Sequence, residues 1–161
     1  MSRKPDILGE FTAEHRAVED LLARIKAAPA RPGESGRDGG AGREQLIERL
    51  TDLLFSHCAA EEEHLFPVVQ HDVPDGGALV FRCIHDHLAI GQYLADLQAL
   101  APGDPAPDTL LRGLAELLRR HLAAEEEQLF PAARKALPAA ARTALAERLR
   151  ADRAEIAEAG P

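Results

Sequence analysis

The sequence predicts an all-α fold, an antiparallel up-down four-helix bundle with an additional short C-terminal helix. Apolar residues recur at steps of three and four in four segments, which is the spacing of one helix face. Hydrophobic residues make up 45% of the chain and are mostly Leu and Ala, whereas aromatic residues make up 4%, a composition that suits helices better than strands. With 161 residues, the chain is long enough to bury the core of a single domain, 1–161.

The apolar stripes fix the order and the approximate ends of the predicted helices. The four bundle helices are expected at about 6–28, 43–70, 77–100 and 108–136. Asp6 is the expected N-cap of the first helix. Pro138 opens a further helix to about 158, with Leu145, Leu149 and Ile156 on one side. This last helix is expected either to cap the bundle or to form an oligomer contact.

The connections between these helices carry turn residues. Residues 29–42 include five glycines and two prolines, which predicts a long flexible loop. Residues 71–76 and 101–107 are short Pro- and Gly-bearing turns, as antiparallel neighbours require. Pro67 and Pro131 lie inside helical patterns that otherwise continue, so each helix is expected to kink or end near its proline.

An eleven-residue sequence occurs twice in the chain. His57-Cys-Ala-Ala-Glu-Glu-Glu-His-Leu-Phe-Pro67 returns as His121-Leu-Ala-Ala-Glu-Glu-Glu-Gln-Leu-Phe-Pro131, with nine of eleven positions identical. Each copy carries a His and a Glu four residues apart, which helical geometry puts on one face. Each copy follows a lone histidine that belongs to a weaker repeat. The two halves of the chain therefore offer matching sets of metal ligands.

In every predicted helix, a coordinating side chain occupies a position where the stripe would otherwise have a core residue. The six candidates for metal ligation are His15, His57, Glu61, His87, His121 and Glu125. A buried neutral histidine costs little when its nitrogens have partners, but an unpaired carboxylate in an apolar interior must bind a proton or a cation. Six such groups facing one bundle axis therefore indicate a metal centre. The alternative is a bundle whose buried polar groups satisfy one another.

The ligand types narrow the choice of metal. Four imidazoles and two carboxylates suit iron, manganese or zinc better than copper(I) or calcium. Six ligands are too many for one tetrahedral zinc ion and fit two metals better. In that arrangement His15 and His57 bind one ion, His87 and His121 bind the other, and the two glutamates bridge.

The chain resembles the hemerythrin-like family, whose HHE cation-binding domain is named for its His–His–Glu repeat. The resemblance covers 6 to about 137 and rests on His15, His87 and both copies of the repeat, including its Glu-Glu-x-x-Leu-Phe-Pro ending. It implies a four-helix bundle that holds two iron ions in a non-haem, oxo- or hydroxo-bridged centre, with zinc or manganese as possible substitutes. It also implies a role in oxygen binding, in oxygen or redox sensing, or in iron or peroxide handling.

One position departs from the family pattern. Hemerythrin proper has a further histidine four residues before the position of His87, and this chain has Cys83 there. The gap could be filled by Cys83, His85, His64, Glu126 or water. A stable oxygen carrier becomes less favoured, and a more open, reactive or labile site becomes more favoured.

Charge and cysteine content limit the partners and the compartment. The net charge is −8 and the chain has no basic patch, so nucleic acid is not an expected partner. No signal peptide or membrane span is expected, which leaves a cytoplasmic protein. Cys58 and Cys83 are too few for a disulfide framework and are expected to be free thiols. Cys58 is expected to pack in the helix interface, with a redox role as the alternative.

Three functions are compatible with these residues. The favoured one is a metal- and oxygen-binding protein whose partner is a small diatomic molecule or peroxide, acting as a monomer or homodimer, with no catalytic residue assigned. A di-iron enzyme with peroxidase-, catalase- or ferroxidase-like activity is the second. A ferritin-type site needs Glu-x-x-His on two helices, and Gln128 breaks the second copy. A non-catalytic, metal-stabilised interaction module is the third.

Overall fold

The structure, a computed structural model, describes residues 4–28, 42–100 and 107–159, and the ordered elements within these ranges are helices. In chain order they are α1 (Ile7–Ala27), α2 (Arg43–Ala60), α3 (Phe66–Asp72), α4 (Gly76–Gln98), α5 (Pro107–Ala124), α6 (Phe130–Ala136) and α7 (Ala139–Ala159). The all-α bundle prediction is confirmed, and the predicted ends agree to within two residues. The predicted loop 29–42, apart from Gly42, and residues 101–106 of the second turn lie outside the described ranges.

Two π turns join the halves of the long bundle helices. Glu61–Leu65 connects α2 to α3, and Glu125–Leu129 connects α5 to α6. In the first turn the Phe66 N–H donates to the carbonyl of Glu61, five residues back. The sequence predicted a kink or an end near each proline, and in the structure a π turn interrupts the α-helix just before each one, after which the helix resumes. A proline has no N–H and its ring crowds the carbonyl four residues earlier, and the wider turn relieves both restrictions.

The bundle core consists of two apolar clusters. One contains Phe11, Phe66 and Phe130 together with residues of α7. The other contains Val18, Leu50 and other residues from the opposite end of the bundle. The six candidate ligands predicted from the sequence lie between the clusters. They form a polar layer that has an apolar cluster on each side. Within the described ranges, no helix is long and apolar enough to cross a bilayer.

The turn between α3 and α4 depends on one glycine and one unusual backbone conformation. Asp75 has φ 57°, in the left-handed region, and the Gly76 N–H donates to the Val73 carbonyl over 2.9 Å. A Cβ on Gly76 would lie 2.0 Å from the Val69 carbonyl oxygen, so larger residues are excluded there. This turn brings α4 directly back along the bundle.

The C-terminal helix α7 caps one end of the bundle, so the first of the two expected roles is the one observed. Leu145 and Leu149 are buried in the same cluster as Phe11, whereas Ile156 is 73% exposed. Three arginines of α7 reach carboxylates on or just before α1: Arg142 to Asp6 (2.7 Å), Arg150 to Glu10 (2.9 Å) and Arg153 to Glu14 (2.5 Å). The helix has 21 residues, as many as α1, so it is not the short element expected.

Asp6 joins the start of α1 to α7, and its replacement tests this docking. Its side chain accepts a hydrogen bond from the Gly9 amide at the N-cap and another from Arg142. Burial alone would raise the pKa of Asp6, but these hydrogen bonds outweigh it and hold the pKa below the usual 3.8. Asp6→Ala is expected to lower the free energy of unfolding by about 1 kcal/mol at pH 7, as loss of an N-cap does.

The measurement is urea unfolding of both proteins between pH 7 and pH 2. Since the folded-state pKa of Asp6 is lowered, its stabilising contribution is present above pH 3.8 and is lost as the pH falls further. The difference between wild type and variant should therefore shrink in acid. Glu19→Ala, on the exposed face of α1, is the control and should change stability little. An equal effect of both substitutions would contradict the assignment.

Candidate metal centre

The structure brings all six sequence-predicted residues together in the polar layer of the bundle. They come from four bundle helices and the first position of each π turn: His15 in α1, His57 in α2, Glu61, His87 in α4, His121 in α5, and Glu125. Both glutamates have no solvent-exposed surface, and the four histidines are between 0% and 7% exposed. Their grouping was predicted, and their service as metal ligands remains a prediction.

The six residues form two overlapping sets of four. His15, His57, Glu61 and Glu125 make one set, in which one ligand atom per residue lies within 4.8 Å of every other. His87 and His121 form the second set with the same two glutamates. Each set therefore has two imidazoles of its own and shares both carboxylates, which is the division predicted for a two-metal centre.

Each imidazole presents its Nε2 atom to a buried carboxylate oxygen. His57 and His87 approach the same Glu61 oxygen at 3.5 and 3.3 Å. His15 and His121 approach the two oxygens of Glu125 at 3.2 and 3.3 Å. Each of the two buried glutamates is therefore contacted by one histidine from its own half of the chain and one from the other half.

The opposite ring nitrogen, Nδ1, faces a second layer of carboxylates. His57 Nδ1 donates to Glu14 over 2.9 Å, His15 Nδ1 to Glu126 over 2.8 Å, and His87 Nδ1 to Glu62 over 2.8 Å. His121 Nδ1 lies farther from its neighbour, at 3.5 Å from Asp86. Sequence reasoning did not assign these four roles, although they follow the repeat. Glu14 and Asp86 each directly precede a lone histidine, and Glu62 and Glu126 each directly follow a buried glutamate.

These second-layer contacts set the protonation of the inner layer. An ionised carboxylate only accepts hydrogen bonds, so in the neutral form of His15, His57 and His87 the proton lies on Nδ1 and the Nε2 lone pair faces inward. Lone pairs of nitrogen and oxygen then point at one another in the bundle interior. All four Nε2 atoms and all four oxygens of Glu61 and Glu125 are buried and lack a hydrogen-bond partner. A cation between them satisfies both kinds of atom, so the residues present fit a metal pair.

The repeated Glu-Glu-x-x-Leu-Phe-Pro sequence acts as one unit across the bundle. In its first copy, Glu62 holds the outer nitrogen of His87 and Phe66 stacks on the same ring, with centroids 5.4 Å apart. In the second copy, Phe130 stacks on His15 at 5.4 Å, and Glu126 holds its outer nitrogen. Each copy therefore supplies a buried carboxylate and orients the lone histidine of the other half.

Burial and close contact shift the pKa values of several groups in the centre far from their usual range. Burial, together with the charge of Glu61, raises the pKa of Glu125 to about 7. Burial, together with three neighbouring imidazoles, lowers the pKa of His121 to about 2. For His87, burial acts downward but contacts with Cys58 and Glu61 outweigh it and raise the pKa to about 11. The pKa values of His87 and His121 shift in opposite directions because His87 contacts Cys58 and Glu61, whereas three imidazoles surround His121.

The candidates for the missing fifth histidine lie outside both ligand sets. Cys83 is buried near the centre, where burial and the charge of Glu125 raise the pKa of its thiol, but it belongs to neither set. Glu126, which the sequence offered as a candidate ligand, instead accepts a hydrogen bond from the outer nitrogen of His15. His85 is exposed, and His64 points toward Asp152 of α7. Both Cys58 and Cys83 are free thiols, as predicted.

Comparison with known proteins identifies the family. The family model for the hemerythrin HHE cation-binding domain matches residues 6–133. The chain belongs to the hemerythrin HHE cation-binding domain family. The matched range contains both ligand sets and both π turns, and it ends before α7 begins. The protein is thus a metal-binding, hemerythrin-like protein with an added C-terminal helix.

Two individual relatives extend this comparison. The hemerythrin-like chain is 28% identical over 138 residues to the iron-sulfur cluster repair protein YtfE of Dickeya chrysanthemi. That match covers 79% of this chain but 62% of the relative, so the chain spans less than two thirds of its length. The crystal structure of a hemerythrin HHE cation binding domain-containing protein from Mycobacterium kansasii superposes with a TM-score of 0.75 at 18% identity, covering 92% of this chain and 85% of that one. It supports the fold.

Glu62 allows the second carboxylate layer to be tested with little disturbance, because it is half exposed and its hydrogen-bond partner is His87. Glu62→Gln removes the charge that keeps the proton on the outer nitrogen of His87. Metal affinity is expected to fall about tenfold or more, as is usual when such a partner is lost. The measurement is a competition titration with a chromophoric chelator. The matched control is Glu127→Gln, at an exposed position of the second repeat. Equal affinities for all three proteins would rule out this role.

Proposed function

We propose that the protein holds a non-haem pair of iron ions in the buried centre and uses it to bind or react with dioxygen, peroxide or nitric oxide. The observation that carries the proposal is the sharing of Glu61 and Glu125 between two ligand sets, each with two imidazoles of its own. A pair of iron ions held there would supply redox chemistry toward such small molecules. Zinc or manganese are possible substitutes, because the same nitrogens and oxygens can hold them.

Two considerations favour iron. Each ligand set has two imidazoles and two carboxylates, and iron accepts more ligands than these four, which leaves positions for a bridge and for a small molecule. The named relative from Dickeya chrysanthemi is an iron-sulfur cluster repair protein. A separate observation concerns the reaction rather than the metal. Cys83 replaces a further histidine, so the centre has fewer nitrogen ligands than an oxygen carrier has.

The chain's own residues would orient the ligands and keep bulk water out. Glu14, Glu62 and Glu126 hold protons on the outer imidazole nitrogens, so the inner nitrogens stay free to coordinate. Phe66 and Phe130 stack on two of the rings and limit their rotation. The apolar clusters on both sides of the layer lower the local dielectric and strengthen every charge interaction inside it.

Iron handling in cluster repair is a second candidate, favoured by the relative's name. The centre would then deliver or accept iron as cargo. The two candidates differ in whether iron leaves the protein. Both are proposed for a protein of the reducing cytoplasm, in which Cys58 and Cys83 remain free thiols.

Aerobic loading with iron tests the main proposal. The wild-type protein is expected to retain two iron ions per chain and to show near-ultraviolet absorption bands that change when dithionite, nitric oxide or peroxide is added. His57→Ala and His121→Ala each remove one inner nitrogen and should lose at least one ion per chain, since each set depends on both of its imidazoles. Metal content is measured by plasma emission spectrometry.

His71→Ala is the control, because His71 is exposed in α3 and lies outside the centre. It should retain iron and bands like the wild type. Substoichiometric iron in the wild type, or unchanged iron in both centre variants, would contradict the proposal. Rapid transfer of the bound iron to an acceptor chelator, without spectral response to nitric oxide or peroxide, would instead favour the cargo candidate. Oxygen evolution after peroxide addition would indicate a catalase-like enzyme.

A further inference from the structure

A second group of potential ligands lies where the first π turn faces α7. Glu63, His64 and Asp152 each bring one ligand atom within 4.8 Å of the other two. His64 is 7% exposed, and its Nε2 atom lies 3.3 Å from the Asp152 carboxylate. Glu63 is exposed and the Asp152 side chain is 46% exposed. We call these three residues the π-turn cluster. It shares no residue with the buried centre.

The π-turn cluster occurs at the first copy of the repeat and, among the residues that the structure describes, has no counterpart at the second. The two copies of the eleven-residue repeat differ at only two positions, and one of them is His64, which corresponds to Gln128. Gln128 is exposed and accepts a hydrogen bond from Arg82 over 2.8 Å. His64, in contrast, is buried against α7, which follows the second repeat in the chain and packs on the first π turn. A residue able to coordinate a metal therefore occurs in the copy that has the Asp152 carboxylate of α7 beside it.

The composition and spacing of the cluster suit a transition metal. One imidazole with two carboxylates offers nitrogen and oxygen donors that zinc and manganese accept. Metal–ligand distances of about 2.0–2.2 Å put neighbouring ligand atoms of a tetrahedral zinc ion about 3.4 Å apart, and the His64 and Asp152 atoms are 3.3 Å apart. The separations in the cluster are at most 4.8 Å, and the exposed Glu63 side chain can close the difference by rotation about its own bonds.

We propose that Glu63, His64 and Asp152 form a third, solvent-facing site for a divalent transition-metal ion. The site is independent of the proposed chemistry of the buried centre, although both use residues of one π turn, since Glu61 begins the turn and Glu63 and His64 follow in it. The competing explanation is an ion pair between His64 and Asp152 that fastens α7 and binds no metal.

Equilibrium dialysis against zinc, with metal and protein both quantified, separates these explanations. Wild type is expected to hold one more ion per chain than His64→Gln, which copies the residue of the second repeat. Asp152→Asn should lose the same ion. The matched control is His71→Gln, which removes an exposed histidine whose Nδ1 lies 2.6 Å from Asp72 without a third ligand. It should keep the wild-type content.

Equal zinc content in wild type, His64→Gln and Asp152→Asn would overturn the proposal, because an ion pair alone predicts that result. Circular dichroism melting in each metal state reports whether the variants are folded. Asp152 is half exposed, so Asp152→Asn is expected to fold. It therefore provides the test if His64→Gln unfolds. The same measurement shows whether the buried centre binds metal. If it does not, the wild type would hold one zinc ion per chain and His64→Gln would hold none.

Discussion

The carboxylates of Glu61 and Glu125 are completely buried, and each faces Nε2 atoms from both halves of the bundle. An ionised carboxylate with no partner in such a place costs several kcal/mol. Protonated imidazoles could neutralise these carboxylates only in part, because burial and three neighbouring imidazoles lower the pKa of His121 to about 2. Two cations between these groups would satisfy the inner nitrogens and oxygens, which have no hydrogen-bond partner in the described part of the chain, and all four bundle helices contribute to this layer.

This layer links features that otherwise appear unrelated. The π turns begin at the two buried glutamates. Each turn is followed by a phenylalanine that stacks on an imidazole of the other half. The apolar clusters on either side, the first of which includes residues of α7, bury the layer. Leucine at these positions would give the centre apolar packing, whereas this bundle places unpartnered nitrogens and oxygens there, which a metal pair would satisfy.

Much of this could be predicted from the sequence, because periodicity reports which residues share a helix face. The helix ends and the six residues of the centre followed from stripes in which histidine and glutamate replace core residues. The contacts of Glu62 and Glu126 were missed, since both precede a further glutamate and look like part of a solvated face. The π turns were missed because one extra residue per turn leaves little trace in a short repeat, although Pro67 and Pro131 indicated a change. The partner of His64 lies 88 positions away on α7, and no local pattern could identify it.

The most direct test of the central claim is anomalous diffraction from crystals of the iron-loaded protein, with data on both sides of the iron absorption edge. We expect two anomalous peaks inside the bundle, one between His15 and His57 and one between His87 and His121, with Glu61 and Glu125 contacting both. A single peak, no peak in this layer, or a pair of peaks that either glutamate fails to bridge would contradict the account.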